Sequence, residues 1–219
     1  TATLVPGTTD VYDVYKSGTN FNRLLSHSTN VVEVLGANTT GITNMDYMFD
    51  SCTSLSTVPL FNTSNVTSMS YMFNSCTPLQ SVPLFDTSDV IDMNNMFYSS
   101  GTQVETYELT GLNKWNTSMV SNMHNMFGNA GKVATSWSIG NLSNWDVSSV
   151  SLLCSMFKGV GGKNSTFDVG DISKWNTSNA TRMDGMFSDT KFKEGYTLDL
   201  SKWNVDKVTN YTNFNYGTE

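Results

Sequence analysis

The sequence Asn-Thr-Ser-Asn-Val-Thr-Ser-Met-Ser-Tyr-Met-Phe, residues 62–73, decides the fold of this chain. Its apolar residues have the i, i+3, i+6, i+7 spacing of one face of a short helix, and they are Val66, Met69, Met72 and Phe73. Asn, Thr and Ser side chains precede Val66, and such side chains accept hydrogen bonds from the free N–H groups of a first helical turn. The stretch therefore predicts a short amphipathic helix.

The same phrase recurs along the chain, which indicates a repeat protein. Its register is given by the second Met of each copy, at Met48, Met72, Met96, Met126, Met156 and Met186, with Phe214 in a decayed last copy. The steps between these positions are 24, 24, 30, 30, 30 and 28 residues. A further step of 24 residues back from Met48 reaches Leu24, so we count a degenerate first unit and about eight units in all.

A second pattern lies between these phrases, where apolar residues alternate over a few positions as they do in strands. The segments are residues 55–60, 79–84, 104–109, 137–139, 167–169 and 196–198. An aromatic residue closes each segment, always 11 residues before the second Met position. Because a proline cannot donate to a strand ladder, we expect the sheet to be weak or interrupted at Pro59 and Pro83.

Together the two patterns predict an α/β repeat solenoid, a leucine-rich-repeat-like stack of short parallel strands and short helices. Neighbouring units must cover one another, because no unit can bury its own apolar stripe. Residues 21–216 would form a single solenoid whose first and last units are degenerate. Residues 1–20, with a predicted strand at 11–15, would form an N-terminal cap, and residues 217–219 a tail.

Charge and hydropathy exclude two kinds of partner. The chain carries a net charge of -7, whereas nucleic-acid phosphates require a basic face, so we expect no nucleic acid. No stretch approaches the roughly 20 apolar residues of a membrane span, so we expect no direct membrane insertion. The sequence opens at Thr1 without Met or a signal peptide, from which we expect a processed chain or a fragment.

The phrases Asn-Thr-Ser-Asn-Val-Thr-x-Met-x-x-Met-Phe-x-x-Cys and Ser-Lys-Trp-Asn-Thr-Ser resemble the repeats of BspA-like leucine-rich-repeat surface proteins and the related 26-residue lipoprotein repeats. The resemblance covers residues 21–216 and implies a curved solenoid with a parallel strand layer. It also implies display on a cell surface or a phage virion, outside the cell, and adhesion to host or matrix components. The six-residue insertions after about residue 98 depart from the pattern of that family.

Few residues suggest a catalytic or metal-binding role, so we expect no enzyme, no cofactor and no metal site. Five Met-x-x-Met pairs could offer thioethers to Cu(I), but the same stripe carries Val66 and Phe73, which favours core packing. Acidic clusters, namely Asp86, Asp89 and Asp92 or Asp168 and Asp171, match no calcium loop.

Cysteine and histidine leave alternatives open. Cys52 and Cys76 occupy the same repeat position in adjacent units, where a disulfide or two buried thiols could form. Cys154 is interpreted as an unpaired thiol, and His124 as a solvated residue at a polar position of its unit.

One residue in each strand segment is expected to point away from the core, between two apolar positions. These candidate partner-binding residues are Pro59, Pro83, Glu108, Ser138, Asp168 and Thr197. They share no chemistry, which fits either a binding face or unconstrained solvent positions. If these outward-pointing residues bind a partner, Glu108 and Asp168 favour a polar or cationic ligand such as a glycan or a basic peptide.

These patterns and the resemblance favour a non-enzymatic recognition or adhesion module, whose partner is a protein or glycan on another surface. The alternative is a structural decoration or fibre component, assembled into a phage virion or a cell-surface layer.

Overall fold

The computed structural model describes residues 2–4, 11–14, 18–109, 111–162 and 166–218. Regular secondary structure is sparse within these ranges. It consists of the strands β1 (Ala2–Leu4), β2 (Val11–Val14), β3 (Glu33–Ala37), β4 (Thr106–Glu108) and β5 (Ser136–Ser138) and a 3-10 helix (Leu112–Lys114). One sheet has the order β1-β2-β3, and a second sheet contains β4 and β5.

The repeated phrase is a ribbon of β-turns, so the prediction of short helices is wrong. In the third unit the Met72 N–H donates to the Met69 carbonyl at 3.2 Å, and the Cys76 N–H donates to the Phe73 carbonyl at 3.3 Å. Tyr71, third in the first of these turns, has a φ of 56°, as a type II turn requires. An α-helix would instead need bonds to residue i−4 and negative φ throughout.

We call this eight-residue segment of each unit the turn ribbon. The eight turn ribbons are residues 21–28, 45–52, 69–76, 93–100, 123–130, 153–160, 183–190 and 211–218.

Alternate N–H groups of the first seven turn ribbons donate to the next unit along the chain. In the third unit the donors are Met69, Tyr71, Phe73 and Ser75, whose N–H groups lie 2.8–3.0 Å from the carbonyl oxygens of Asp92, Asn94, Met96 and Tyr98. A parallel bridge accompanies each step, from Asn20 with Asn44 to Arg182 with Asn210. Within the turn ribbons, N–H groups of one unit therefore face carbonyls of the following unit. Directly before the turn ribbons the direction is reversed, as where the Thr67 N–H donates to the Thr43 carbonyl of the preceding unit at 2.8 Å.

The apolar stripes of all units meet in one hydrophobic core cluster that extends from Phe21 to Trp203. Met72 and Phe73 are fully buried, as predicted from the sequence. The ring of Phe73 stacks on Phe49 and on Phe97, with 5.6 Å between ring centroids in both pairs. The methionines of the Met-x-x-Met pairs are buried in this core, with at most 2% of their surface exposed. Their sulfurs therefore serve packing rather than an open copper site.

The strand segments are less regular than predicted. β4 and β5 pair in parallel, with Tyr107 opposite Trp137. Residues 55–60, 79–84, 167–169 and 196–198, all within the described ranges, form no strand. The first two of these segments contain Pro59 and Pro83, where an interrupted sheet was expected because proline lacks an N–H. The assignment to a leucine-rich-repeat-like solenoid stays a prediction.

The N-terminal segment extends the first sheet. β2 pairs in parallel with β3, and β1 pairs antiparallel with β2. The strand predicted at residues 11–15 corresponds to β2, while its last residue, Tyr15, lies outside the described residues. Two strands thus precede the strand segment of the first unit, and their role as a cap stays a prediction.

Candidate partner-binding face

The six candidate residues differ in exposure and lie in three places. Pro59 and Pro83 are half-buried in the irregular strand segments. Glu108 is exposed at the end of β4, directly opposite the half-buried Ser138 of β5. Asp168 and Thr197, from the next two units, line one groove. The structure therefore places Glu108 opposite Ser138 and puts Asp168 and Thr197 in one groove.

The first groove lies beside Glu108 and has a volume of about 460 Å³. It is lined by Gln80, Ser81, Val104, Glu105, Thr106 and Glu108. Both glutamates are exposed, and neither forms an ion pair within the described residues. The groove therefore offers two hydrated carboxylates to a partner.

The second groove, of about 320 Å³, contains Asp168, Asp171, Thr197 and Asp199. Lys193 also lines it and forms an ion pair with Asp168. Three carboxylates and one ammonium group leave this groove with a net negative charge.

Two of these carboxylates are held in their charged form by local hydrogen bonds. The side chain and backbone N–H of Ser173 lower the pKa of Asp171, and the backbone N–H and side chain of Ser201 lower the pKa of Asp199. The wall of the groove is fixed by Tyr196, whose hydroxyl donates to the Gly170 carbonyl at 2.7 Å. Burial raises the pKa of Tyr196 to about 12, so this hydroxyl stays protonated at neutral pH.

Cys52 and Cys76 are free thiols and form no disulfide with each other. The thiol of Cys52 donates to the Leu25 carbonyl at 3.0 Å, and that of Cys76 donates to the Phe49 carbonyl at 3.1 Å. Each sulfur is therefore directed at the backbone of the preceding unit, so of the two alternatives that the sequence left open the structure has two buried thiols. Burial raises the pKa of Cys52 to about 12 and raises that of Cys76 well above its usual value.

His124 and Cys154 form a contact that the sequence reading missed. The Nδ1 atom of His124 lies 3.0 Å from the Cys154 sulfur and 3.0 Å from the Cys154 carbonyl oxygen. His124 is half-buried rather than solvated, and Cys154 is buried rather than isolated. Both follow the first apolar position of their turn ribbons, Met123 and Leu153, so a correct alignment of the two units would have paired them.

This pair does not have the character of a nucleophilic site. Burial is the main cause of the raised pKa of the Cys154 thiol, and the nearby Asp184 carboxylate raises it further. A cysteine nucleophile needs a stabilised thiolate, and here the protonated thiol is favoured.

No metal-binding cluster of three or more His, Cys, Asp or Glu side chains occurs within the described ranges. Asp86 accepts hydrogen bonds from the backbone N–H and hydroxyl of Ser88, at 3.1 and 2.7 Å, and so acts in a local turn. In the same ranges, no helix has the length and apolar character needed to cross a bilayer.

These features define a repeat protein built from stacked turn ribbons, with an acidic, grooved strand face. The chain belongs to the family described as "Mycoplasma protein of unknown function, DUF285", which matches residues 19–133 and again residues 100–219. The two matched regions together contain all eight turn ribbons. Neither a curated protein nor a solved structure matches the chain.

Proposed function

We propose that this chain is a BspA-like, surface-displayed recognition or adhesion module that acts without catalysis. It binds its partner through the strand face, which presents a different set of side chains in each unit. The family match is compatible with such surface repeat proteins, although it describes the family only as one of unknown function. The proposed location is the outside of a cell or of a virion.

The observation that carries the proposal is that three of the six predicted face residues, Glu108, Asp168 and Thr197, line two acidic grooves. Glu105 and Glu108 contribute to one groove, and Asp168, Asp171 and Asp199 contribute to the other. Complementary charge increases association rates and selects among partners. A cationic partner is therefore favoured, such as a basic peptide segment of a host or matrix protein or an amino-sugar glycan.

Charge reversal tests this proposal with a matched control. Glu108→Lys changes an exposed residue at the rim of the first groove, and Asp89→Lys makes the same kind of change at an exposed residue that lines neither groove. Both variants should fold, because neither side chain is buried. Binding would be measured on a surface array of basic peptides and of amino-sugar and neutral glycans.

We expect Glu108→Lys to bind its array partner about tenfold more weakly than the wild type, while Asp89→Lys binds as the wild type does. Increasing salt should weaken wild-type binding as well. Equal binding by the two variants would rule out the first groove. If no peptide or glycan binds at all, the alternative of a structural component of a virion or cell-surface layer is favoured.

A further inference from the structure

The strand face carries exposed leucines in the short units that precede the first acidic groove. Leu60 is 68% exposed and Leu84 is 48% exposed, whereas Leu109, at the same position of the fourth unit, is fully buried. In the second and third units only a Pro-Leu pair joins a buried valine to a buried aromatic residue, whereas seven residues join Tyr107 to Trp115. The 24-residue units therefore leave outside an apolar side chain that the longer fourth unit buries.

The two exposed leucines lie side by side on neighbouring units. The rings of Phe61 and Phe85, which directly follow them in the sequence, stack with 6.0 Å between ring centroids. Toward the other end of the same segments, the Gln80 N–H donates to the Ser56 carbonyl at 3.3 Å. The two segments are thus in register, and rungs in register lie about 4.8 Å apart. The leucines therefore contribute to one apolar surface.

Further apolar side chains extend this surface across the first three units. Leu35, which is 55% exposed, occupies the position of the half-buried Pro59 and Pro83, because Glu33 pairs in parallel with Thr57. Single exposed leucines are normal, but apolar side chains at neighbouring positions of three successive units are typical of a surface that binds another macromolecule. We call this surface the apolar patch, and its members are Leu35, Pro59, Leu60, Pro83 and Leu84.

The apolar patch adjoins the first acidic groove. Ser81, which lines that groove, lies in the same segment as Leu84 and three residues before it. At most about 10 Å of extended backbone therefore separates the two residues. The groove also contains Glu105 and Glu108, whose exposed carboxylates form no ion pair within the described residues. One surface thus offers aliphatic side chains on the first three units and carboxylates on the fourth.

We propose that this surface binds a polypeptide segment in which apolar side chains adjoin lysine or arginine residues. The inference rests on the proposed function and decides between its two classes of partner. The apolar patch removes the partner's apolar side chains from water, and Glu105 and Glu108 attract its cations. A glycan fits less well, because its hydroxyl groups would lose hydrogen bonds to water against Leu60 and Leu84. A second copy of this chain, with its net charge of -7, is a poor electrostatic match for the glutamates.

The probe is selected from random peptides of about 12 residues displayed on phage, which span about 40 Å when extended. Phage that bind a triple variant with Leu60→Ser, Leu84→Ser and Glu108→Lys are removed first, and the rest are selected on the wild-type chain. Fluorescence anisotropy then measures binding of a labelled selected peptide to the leucine double variant, to the Glu108→Lys variant and to a control. The control carries Met119→Ser and Val133→Ser, at side chains outside the apolar patch that are 54% and 61% exposed. Circular dichroism verifies that each variant is folded.

We expect the selected peptides to contain both apolar and basic residues. The leucine double variant and Glu108→Lys should each bind at least about tenfold more weakly than the wild type, while the control binds as the wild type does. If only Glu108→Lys weakens binding, the partner is recognised by charge alone, which overturns this inference and leaves the proposed function standing. If only the leucine variant weakens binding, the acidic groove takes no part, and both are overturned. A selection that yields no peptide overturns the inference, as does self-association of the wild type that the leucine variant abolishes.

Discussion

The rings of Phe73 and Phe97 lie 5.6 Å apart and within 9° of parallel, although 24 residues separate them in the sequence. The same relationship continues from Phe97 to Phe127 and from Phe127 to Phe157, at 5.7 Å in both pairs. Each ring therefore packs between two others, and each unit depends on its neighbours for burial.

Replacing Phe73 by Ala should lower the free energy of unfolding by about 3 to 5 kcal/mol, because a fully buried ring is lost from the middle of this stack. Urea denaturation followed by tryptophan fluorescence and by circular dichroism would measure the change. Val133→Ala, at an exposed position, is the control and should change stability little. A loss below about 1 kcal/mol for Phe73→Ala would contradict the stacked core.

Alanine substitutions at two glycines distinguish the cost of backbone strain from the cost of a steric clash. Gly101 and Gly41 both have positive φ, 61° and 73°, so alanine is strained at either position. At Gly101 an added Cβ would lie 2.5 Å from the Tyr107 ring, whereas at Gly41 nothing lies within 4 Å. We expect Gly101→Ala to cost about 1 to 3 kcal/mol more than Gly41→Ala in thermal or urea unfolding. Equal losses would mean that the Tyr107 ring does not occupy that space.

The buried thiols should resist modification in the native state. Burial raises the pKa values of Cys52 and Cys76, so the reactive thiolate is scarce at neutral pH. Ellman's reagent at pH 8 should label neither cysteine in the native protein and both after denaturation. Mass spectrometry of the non-reduced protein should find no bridge between them. Rapid native labelling, or a linked peptide pair, would contradict the geometry described above.

Aspartates in the turns before the apolar stripes should make the free energy of unfolding depend on pH in the acidic range. Hydrogen bonds from Ser88 lower the pKa of Asp86, and hydrogen bonds from Ser148 lower that of Asp146. A depressed folded-state pKa contributes stability above the unfolded-state value, about 3.9, and that contribution is lost as the pH falls through the folded-state value.

The double variant Asp86→Asn and Asp146→Asn should therefore lose less stability than the wild type between about pH 5 and pH 2. The asparagine should keep the local turn, because Asn62 accepts the same hydrogen bonds from Ser64, at 3.2 Å from the backbone N–H and 2.8 Å from the hydroxyl. Urea midpoints across this pH range would measure the difference. Parallel curves for the variant and the wild type would show that these aspartates do not contribute.

The sequence was sufficient to predict the repeat register and the buried positions of the apolar stripe, because both depend on which residues recur. The prediction of a helix in the turn ribbon was wrong because Met69, Met72 and Phe73 have the spacing of a helix face. A series of β-turns directs the same positions toward the core. The residues that indicate β-turns are those at positions with positive φ. Positions with positive φ recur every four residues, and in the later units they hold Asn, Ser, Gly or Asp, for example Asn125, Asn129 and Gly185.

The candidate face was predictable only as a column of positions. Its grooves arise where units meet, as between Asp168 and Thr197, and alternation within a segment carries no information about such junctions. The contact between His124 and Cys154 was missed because the two residues were interpreted separately, although each directly follows the first apolar position of its turn ribbon.

Amide hydrogen exchange, followed by NMR residue by residue, tests the hydrogen-bond ladder between successive turn ribbons most directly. We expect strong protection of Tyr71, Phe73 and Ser75, whose N–H groups donate to the fourth unit, and rapid exchange of Asn213 and Asn215, whose N–H groups have no following unit among the described residues. If each unit instead held its hydrogen bonds internally, as a helix does, the amides of the eighth unit would be protected like those of the third. Equal protection in the two units would contradict the ladder.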